Sequence, residues 1–179
     1  MQSQIYYTYS ERDTMRFASL FGKHLHEIDI SVKFILNGDL GSGKTCFVRG
    51  LIQEFYPKAI VSSATYVIAK SFGYKPIIYH LDLYRIKKNH NLEDLGILEI
   101  MNDSKALICV EWPVLSMKFQ PRSIKLSFSN TANDKNIRLI NLSFSDDFPK
   151  DWVLTVERDL SIFKSKDRGV EQSGSSSGS

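Results

Sequence analysis

Long apolar runs are missing from this 179-residue chain. Its longest, Phe34-Ile35-Leu36 and Ala106 to Val110 among them, are strand-sized, far below the roughly 20 residues that cross a bilayer. No membrane anchor is expected. Met1 to Ser10 is polar and aromatic, without a basic stretch leading into an apolar one, so no signal peptide is expected either. Cysteine is scarce. Cys46 and Cys109 are the only two, each inside an apolar segment where a free thiol packs as a small hydrophobe, which suits a reducing cytoplasm. Charge of one sign is also lacking: the formal net charge is only +3, and the basic clusters Lys87-Lys88 and Lys164 to Arg168 are short. A groove that tracks a nucleic-acid backbone usually concentrates Lys and Arg, and these clusters read instead as solvated surface.

What remains is ordinary globular material, 42% hydrophobic and 24% charged, enough for one domain over residues 1–164. The polar Ser/Gly-rich residues 165–179 read as a disordered tail. Ile5 to Tyr9 alternates weakly and suggests a strand. Ser10 with Asp13 resembles a helix N-cap pair opening an amphipathic segment through Met15, Phe17, Leu20, Phe21 and Leu25. Val32 to Leu36 is a compact apolar strand, and Cys46, Phe47, Leu51, Ile52 and Phe55 follow at helical spacing. Thr65 to Phe72 and Ile77 to Tyr84 are β-rich runs joined by Gly73-Tyr74-Lys75-Pro76, which predicts an antiparallel hairpin. Leu92 to Met101 carries helical periodicity, Ala106 to Val110 is a buried strand, and Ile124 to Phe128 with Ile137 to Phe144 form a late strand pair. Helices interleaved with strands predict an α/β domain of the P-loop NTPase type, with a mixed central sheet flanked by helices.

Between the second strand and the second helix stands Gly38-Asp39-Leu40-Gly41-Ser42-Gly43-Lys44-Thr45, a complete phosphate-binding loop in its required context. Glycines let the backbone curl so that its N–H groups converge on phosphate oxygens, and the helix N-terminus adds positive potential. Asp39, Leu40, Gly41, Ser42, Gly43, Lys44, Thr45 and Cys46 are therefore the expected nucleotide contacts. Lys44 reaches the β- and γ-phosphates of ATP, and the Thr45 hydroxyl ligates Mg²⁺. Such a site also needs a carboxylate for the metal and a group that orients water. Asp82 ends one apolar strand and Glu111 another, and spacing alone does not rank them. Thr65 is a candidate γ-phosphate sensor. His80 lacks a ligand partner at metal-binding spacing and is expected to be structural.

Together with the loop, Val48-Arg49-Gly50, Ser63-Ala64-Thr65-Tyr66, Tyr79-His80-Leu81-Asp82-Leu83-Tyr84-Arg85, Glu93-Asp94-Leu95-Gly96 and Glu111-Trp112-Pro113 follow in an order that resembles the TsaE (YjeE) family. The resemblance covers roughly residues 10–145. It implies an ATPase, weak alone, that supports threonylcarbamoyladenosine modification of tRNA beside the anticodon with a TsaB–TsaD pair. It further implies Lys44 and Thr45 on phosphate and Mg²⁺, Thr65 as switch threonine, and Asp82 and Glu111 as metal- and water-positioning acids, with Trp112 beside them. tRNA would be served through the partners. Three positions depart from the family pattern: Ala64 for a proline, Cys46 for a second threonine, and Val114 where an acid is frequent. A GTPase is disfavoured because no Asn-Lys-x-Asp string is present, and a small-molecule kinase because no Arg-rich lid is evident.

Overall fold

The structure, a computed structural model, describes residues 3–26, 31–62, 68–86, 92–114, 117, 119, 121–131, 134 and 136–164. The expected tail over residues 165–179 and the candidate switch residue Thr65 lie outside them. Chain order is β1 (Gln4–Thr8), α1 (Glu11–Leu25), β2 (Val32–Gly38), α2 (Lys44–Phe55), β3 (Ala69–Phe72), β4 (Ile78–Asp82), α3 (Ile97–Met101), β5 (Leu107–Glu111), β6 (Ser123–Asn130), β7 (Arg138–Phe144) and α4 (Lys150–Leu160).

The strands form one mixed sheet of seven, in the order β1-β7-β6-β2-β5-β4-β3. β2 is parallel to β5 and β6, and β4 to β5, whereas β7 runs antiparallel to β6 and β1, and β3 antiparallel to β4. These directions bring to one edge the C-terminal ends of β1, β2, β4, β5 and β6. They bring the first residues of β7 and β3 to that same edge.

Burial explains which strands are easy to recognise. β2 and β5 carry apolar side chains on both faces and read as continuous hydrophobic runs. β6 and β7 are buried on one face only, through Ile124, Leu126, Phe128, Ile140, Leu142 and Phe144, and so alternate. That face is covered by α1, α2 and α4. Phe17, Phe21, Phe34 and Phe47 sit at its centre with ring centroids 5.6–6.3 Å apart where they pair, in tilted and edge-to-face arrangements. α1 starts as its sequence dictates: Ser10 Oγ accepts from the Asp13 N–H at 3.0 Å, and Asp13 accepts from the Tyr9 N–H at 3.2 Å. The opposite face carries a smaller core of Leu81, Ile108 and Val110 against Ile97 and Met101 of α3.

Two expectations need correction. The helix expected over Leu92 to Met101 begins only at Ile97, because Gly96 caps it at φ 67°, a left-handed conformation that interrupts helical backbone. Leu92 is still buried with Ile97 and Met101, so the periodicity recorded burial more than helix. The helix α4 was not expected at all, although Val153, Val156 and Leu160 give a three- and four-residue spacing after Pro149.

Candidate functional site

The phosphate loop connects β2 to α2 at the edge where the parallel strands end, the usual ligand position in such sheets. Gly43 is the N-cap of α2 at φ 107°, which a side chain could not adopt without strain. Lys44 opens the helix and is 4% exposed. Its ammonium donates to the carbonyls of Gly38 at 2.7 Å and Asp39 at 2.8 Å, holding the loop on itself. Burial pushes the Lys44 ammonium below the ordinary lysine value, while Glu111, Asp82 and Asp39 pull it back up.

The two acids that spacing left unranked stand side by side. β4 and β5 pair with Asp82 opposite Glu111, and β2 pairs with Leu36 opposite Glu111, so both carboxylates reach the loop from adjacent strand ends. Glu111, 3% exposed, accepts from the Thr45 hydroxyl at 2.8 Å through Oε1. Asp82 accepts from the Tyr84 N–H at 3.1 Å. Thr45, Asp82 and Glu111 thus converge, and Lys44 faces them across the loop.

His80, expected to be structural, lies in the interior beside Glu111. It is fully buried, and its Nε2 lies 2.8 Å from the same Glu111 Oε1. Its Nδ1 is buried without a partner. Strand alternation puts residues 80 and 82 on one face of β4, and that was the available signal; knowing that Glu111 lies on the neighbouring strand required the sheet order. Trp112 also departs from an ordinary strand end, at φ 57°, rare for so bulky a residue. That conformation lays its ring over Lys44, 4.2 Å from the ammonium to the ring centroid, and against Tyr84 at 5.1 Å. Val114, one of the departures from the family pattern, packs with Trp112 against the smaller core.

Asp82, Glu111, Tyr84 and Trp112 line an open cavity of about 280 Å³ together with Gly41, Gly43 to Cys46, and Glu11, Arg49 and Arg138. A larger groove of about 650 Å³ between α1 and α2 includes no residue of the loop and neither Asp82 nor Glu111. The smaller cavity holds the chemistry. Cys46 lines it and is tied down: its thiol donates to the Glu11 carbonyl at 3.1 Å, joining α2 to the first turn of α1, and burial pushes the thiol up to about 11. Leu40, at the loop's tip, is 63% exposed.

The residues fit the group that such a loop handles. Ser42 Oγ is buried in the cradle without a partner, and the acidic side presents only hard oxygen donors. Among the described residues no three His, Cys, Asp or Glu gather as a resident metal centre, whereas a hydroxyl with two carboxylates suits Mg²⁺ carried in by phosphates. Also among the described residues, no helix is long and apolar enough to cross a membrane.

Known proteins agree with this architecture. A Bacillus subtilis crystal structure, that of YdiB, superposes with a TM-score of 0.62 over 90% of this chain and 95% of that one, at 21% identity, which supports the α/β P-loop fold. The Rickettsia typhi tRNA threonylcarbamoyladenosine biosynthesis protein TsaE is 35% identical over 136 residues, 72% of this chain and 88% of that protein. Its counterpart from Borreliella burgdorferi is 32% identical over 133 residues, 73% of this chain and 94% of that protein. The family model for threonylcarbamoyl adenosine biosynthesis protein TsaE matches residues 8–139, from the end of β1 to the start of β7, and the chain belongs to the TsaE family.

Proposed function

We propose that this protein binds and hydrolyses Mg-ATP in the cytoplasm to support threonylcarbamoyladenosine modification of tRNA, in concert with a TsaB–TsaD-like complex. The observation that carries the ATPase reading is the meeting of Thr45 and Glu111 at 2.8 Å, with Asp82 in register beside Glu111, at the mouth of an intact phosphate loop. Membership of the family supplies the pathway.

Each residue then has a task. The amides of Gly41 to Cys46 cradle the phosphates, and Lys44 leaves the Gly38 and Asp39 carbonyls for the β- and γ-phosphate oxygens. Thr45, Asp82 and Glu111 would hold Mg²⁺, which would supply charge neutralisation on those oxygens. Glu111 positions the attacking water, with its carboxylate oriented by His80. Thr65 senses the γ-phosphate. The Trp112 ring covers Lys44 and shields the reacting end from solvent. Adenine is preferred because no Asn-Lys-x-Asp string is present to read a guanine edge.

The test is ATP turnover alone and with a cognate TsaB–TsaD pair and tRNA, accompanied by competition between ATP and GTP. Slow turnover alone, stimulation by the complete set and preference for ATP are expected. Absence of Mg-ATP binding, or tighter GTP than ATP, overturns the reading.

A further inference from the structure

The cavity has a second charged end, which neither the loop motif nor the acids account for. Arg138 is the first residue of β7. Because β7 runs antiparallel to β6, that first residue lies beside Asn130, the last of β6, at the ligand edge of the sheet. On its other side it pairs with Thr8, the last residue of β1. The side chain is only 7% exposed and crosses directly over the start of α2. A Cβ added to Gly43 would meet Arg138 Cδ and Nε, each at 2.7 Å. Gly43 is thus glycine for two reasons, its backbone conformation and the arginine lying on it.

The hydrogen bonding of this guanidinium is incomplete. Nη1 donates to the Asn136 carbonyl at 3.0 Å, while Nε is buried and has no partner. Among the described residues no carboxylate forms an ion pair with it, although Arg49 nearby has Glu11 at 3.7 Å. A buried cation without a counter-charge is costly, and the neighbouring helix N-terminus adds positive potential instead of relieving it. Both features favour an anion at this spot.

The cavity is already polarised. Lys44, Thr45, Asp82 and Glu111 define the end that handles the terminal phosphates and metal, and Arg138 stands with Cys46 and the Glu11–Arg49 ion pair on the side of β7. We infer that Arg138 is a nucleotide-binding residue whose guanidinium takes the α-phosphate of the bound nucleoside di- or triphosphate, closing the phosphate cradle from the side opposite the acids. This rests on the Mg-ATP reading above and adds a residue to it. The contact is shared by ATP and ADP, so Arg138 anchors the nucleotide throughout a hydrolysis cycle and does not report the γ-phosphate.

The experiment measures ATP and ADP affinity by calorimetry, without Mg²⁺ and with it, for wild type, Arg138→Met and Arg138→Lys, together with the unfolding temperature of each nucleotide-free protein. Arg138→Met is expected to lose about ten- to a hundred-fold in affinity for ATP and ADP alike. Its unfolding temperature without nucleotide should be unchanged or raised, because the uncompensated charge is gone while the aliphatic cover on Gly43 remains. Arg138→Lys should recover part of the affinity, since a point charge still attracts phosphate but loses the planar fork. Wild-type affinity in Arg138→Met overturns the inference and leaves the ATPase reading standing. So does a loss confined to ATP, or a nucleotide-free Arg138→Met that unfolds at lower temperature, the mark of a structural arginine. If the wild type binds neither nucleotide, both readings fall together.

Discussion

The two flanks of the phosphate loop are built differently. On one side, Asp82 and Glu111 sit at the C-terminal ends of adjacent parallel strands, backed by a fully buried histidine and roofed by Trp112. On the other, Arg138 begins an antiparallel strand and lies on the glycine that starts α2, with Glu11 and Arg49 paired beyond it. The acidic flank is dense with partners: Glu111 Oε1 alone accepts from the Thr45 hydroxyl and faces His80. On the basic flank the Arg138 guanidinium has one backbone carbonyl as acceptor, and its buried Nε has none, as His80 Nδ1 has none on the acidic flank. A carboxylate oriented by two neighbours suits chemistry, whereas a buried cation without an ion-pair partner suits the binding of an anion. Turnover should therefore belong to one flank and affinity mainly to the other.

The strongest way to break this division is at the acids. Glu111→Ala and Asp82→Ala should each lower ATP turnover by about 10²-fold or more, with ATP affinity changed much less, because loop amides and Lys44 still hold the phosphates. Single-turnover hydrolysis beside calorimetry decides it, and an affinity loss matching the rate loss would erase the distinction between the flanks.

Gly43→Ala comes next. It forces a side chain into φ 107° and against the Arg138 stem, and should weaken nucleotide binding by roughly ten-fold or more. Adding Arg138→Ala to that variant relieves the collision but not the backbone strain, so stability measured by denaturant unfolding should return only in part. Complete recovery would mean that the arginine alone dictates glycine at this position.

His80→Gln sharpens the acidic flank. The fully buried ring touches Glu111 and no cavity-lining surface of its own, so turnover should fall about ten-fold while ATP and ADP affinities stay near wild type. A drop in affinity equal to that in rate would make His80 a general packing residue.

The smallest effect concerns pH. Burial raises the Cys46 thiol to about 11, above the roughly 8.5 of an unfolded chain, so the fold favours the neutral thiol. Its stabilising contribution is complete below about pH 8.5 and is lost as pH rises through 11. Cys46→Ala should therefore flatten the decline in unfolding free energy over that window. An identical alkaline decline in both proteins would assign it to other groups.

Much of the loop and of the acidic flank was legible in the residues themselves. A phosphate loop is local: eight consecutive residues specify it, and an apolar strand before with a helical pattern after confirm it. Asp82 and Glu111 were recognisable because each ends a run of buried strand residues. Arg138 was invisible for the opposite reason. It opens an ordinary alternating strand, and no local pattern distinguishes it from any charged residue at a strand end. The contact between His80 and Glu111 was likewise hidden, since the two lie 31 positions apart.

By itself, then, the chain's order of residues determined the phosphate loop, the helix starts at Ser10 and near Gly43, the late strand pair and the two candidate acids, all features whose physics acts over a few residues. Tertiary structure alone decided the rest. Sheet order put β5 between β2 and β4, so that Asp82, His80 and Glu111 meet beside Thr45. Strand direction turned β7 so that its first residue, and not its last, reaches the nucleotide edge. Hydrogen-bond pairing between strands distant in sequence fixes both, and no periodicity within one strand encodes its neighbour or its direction.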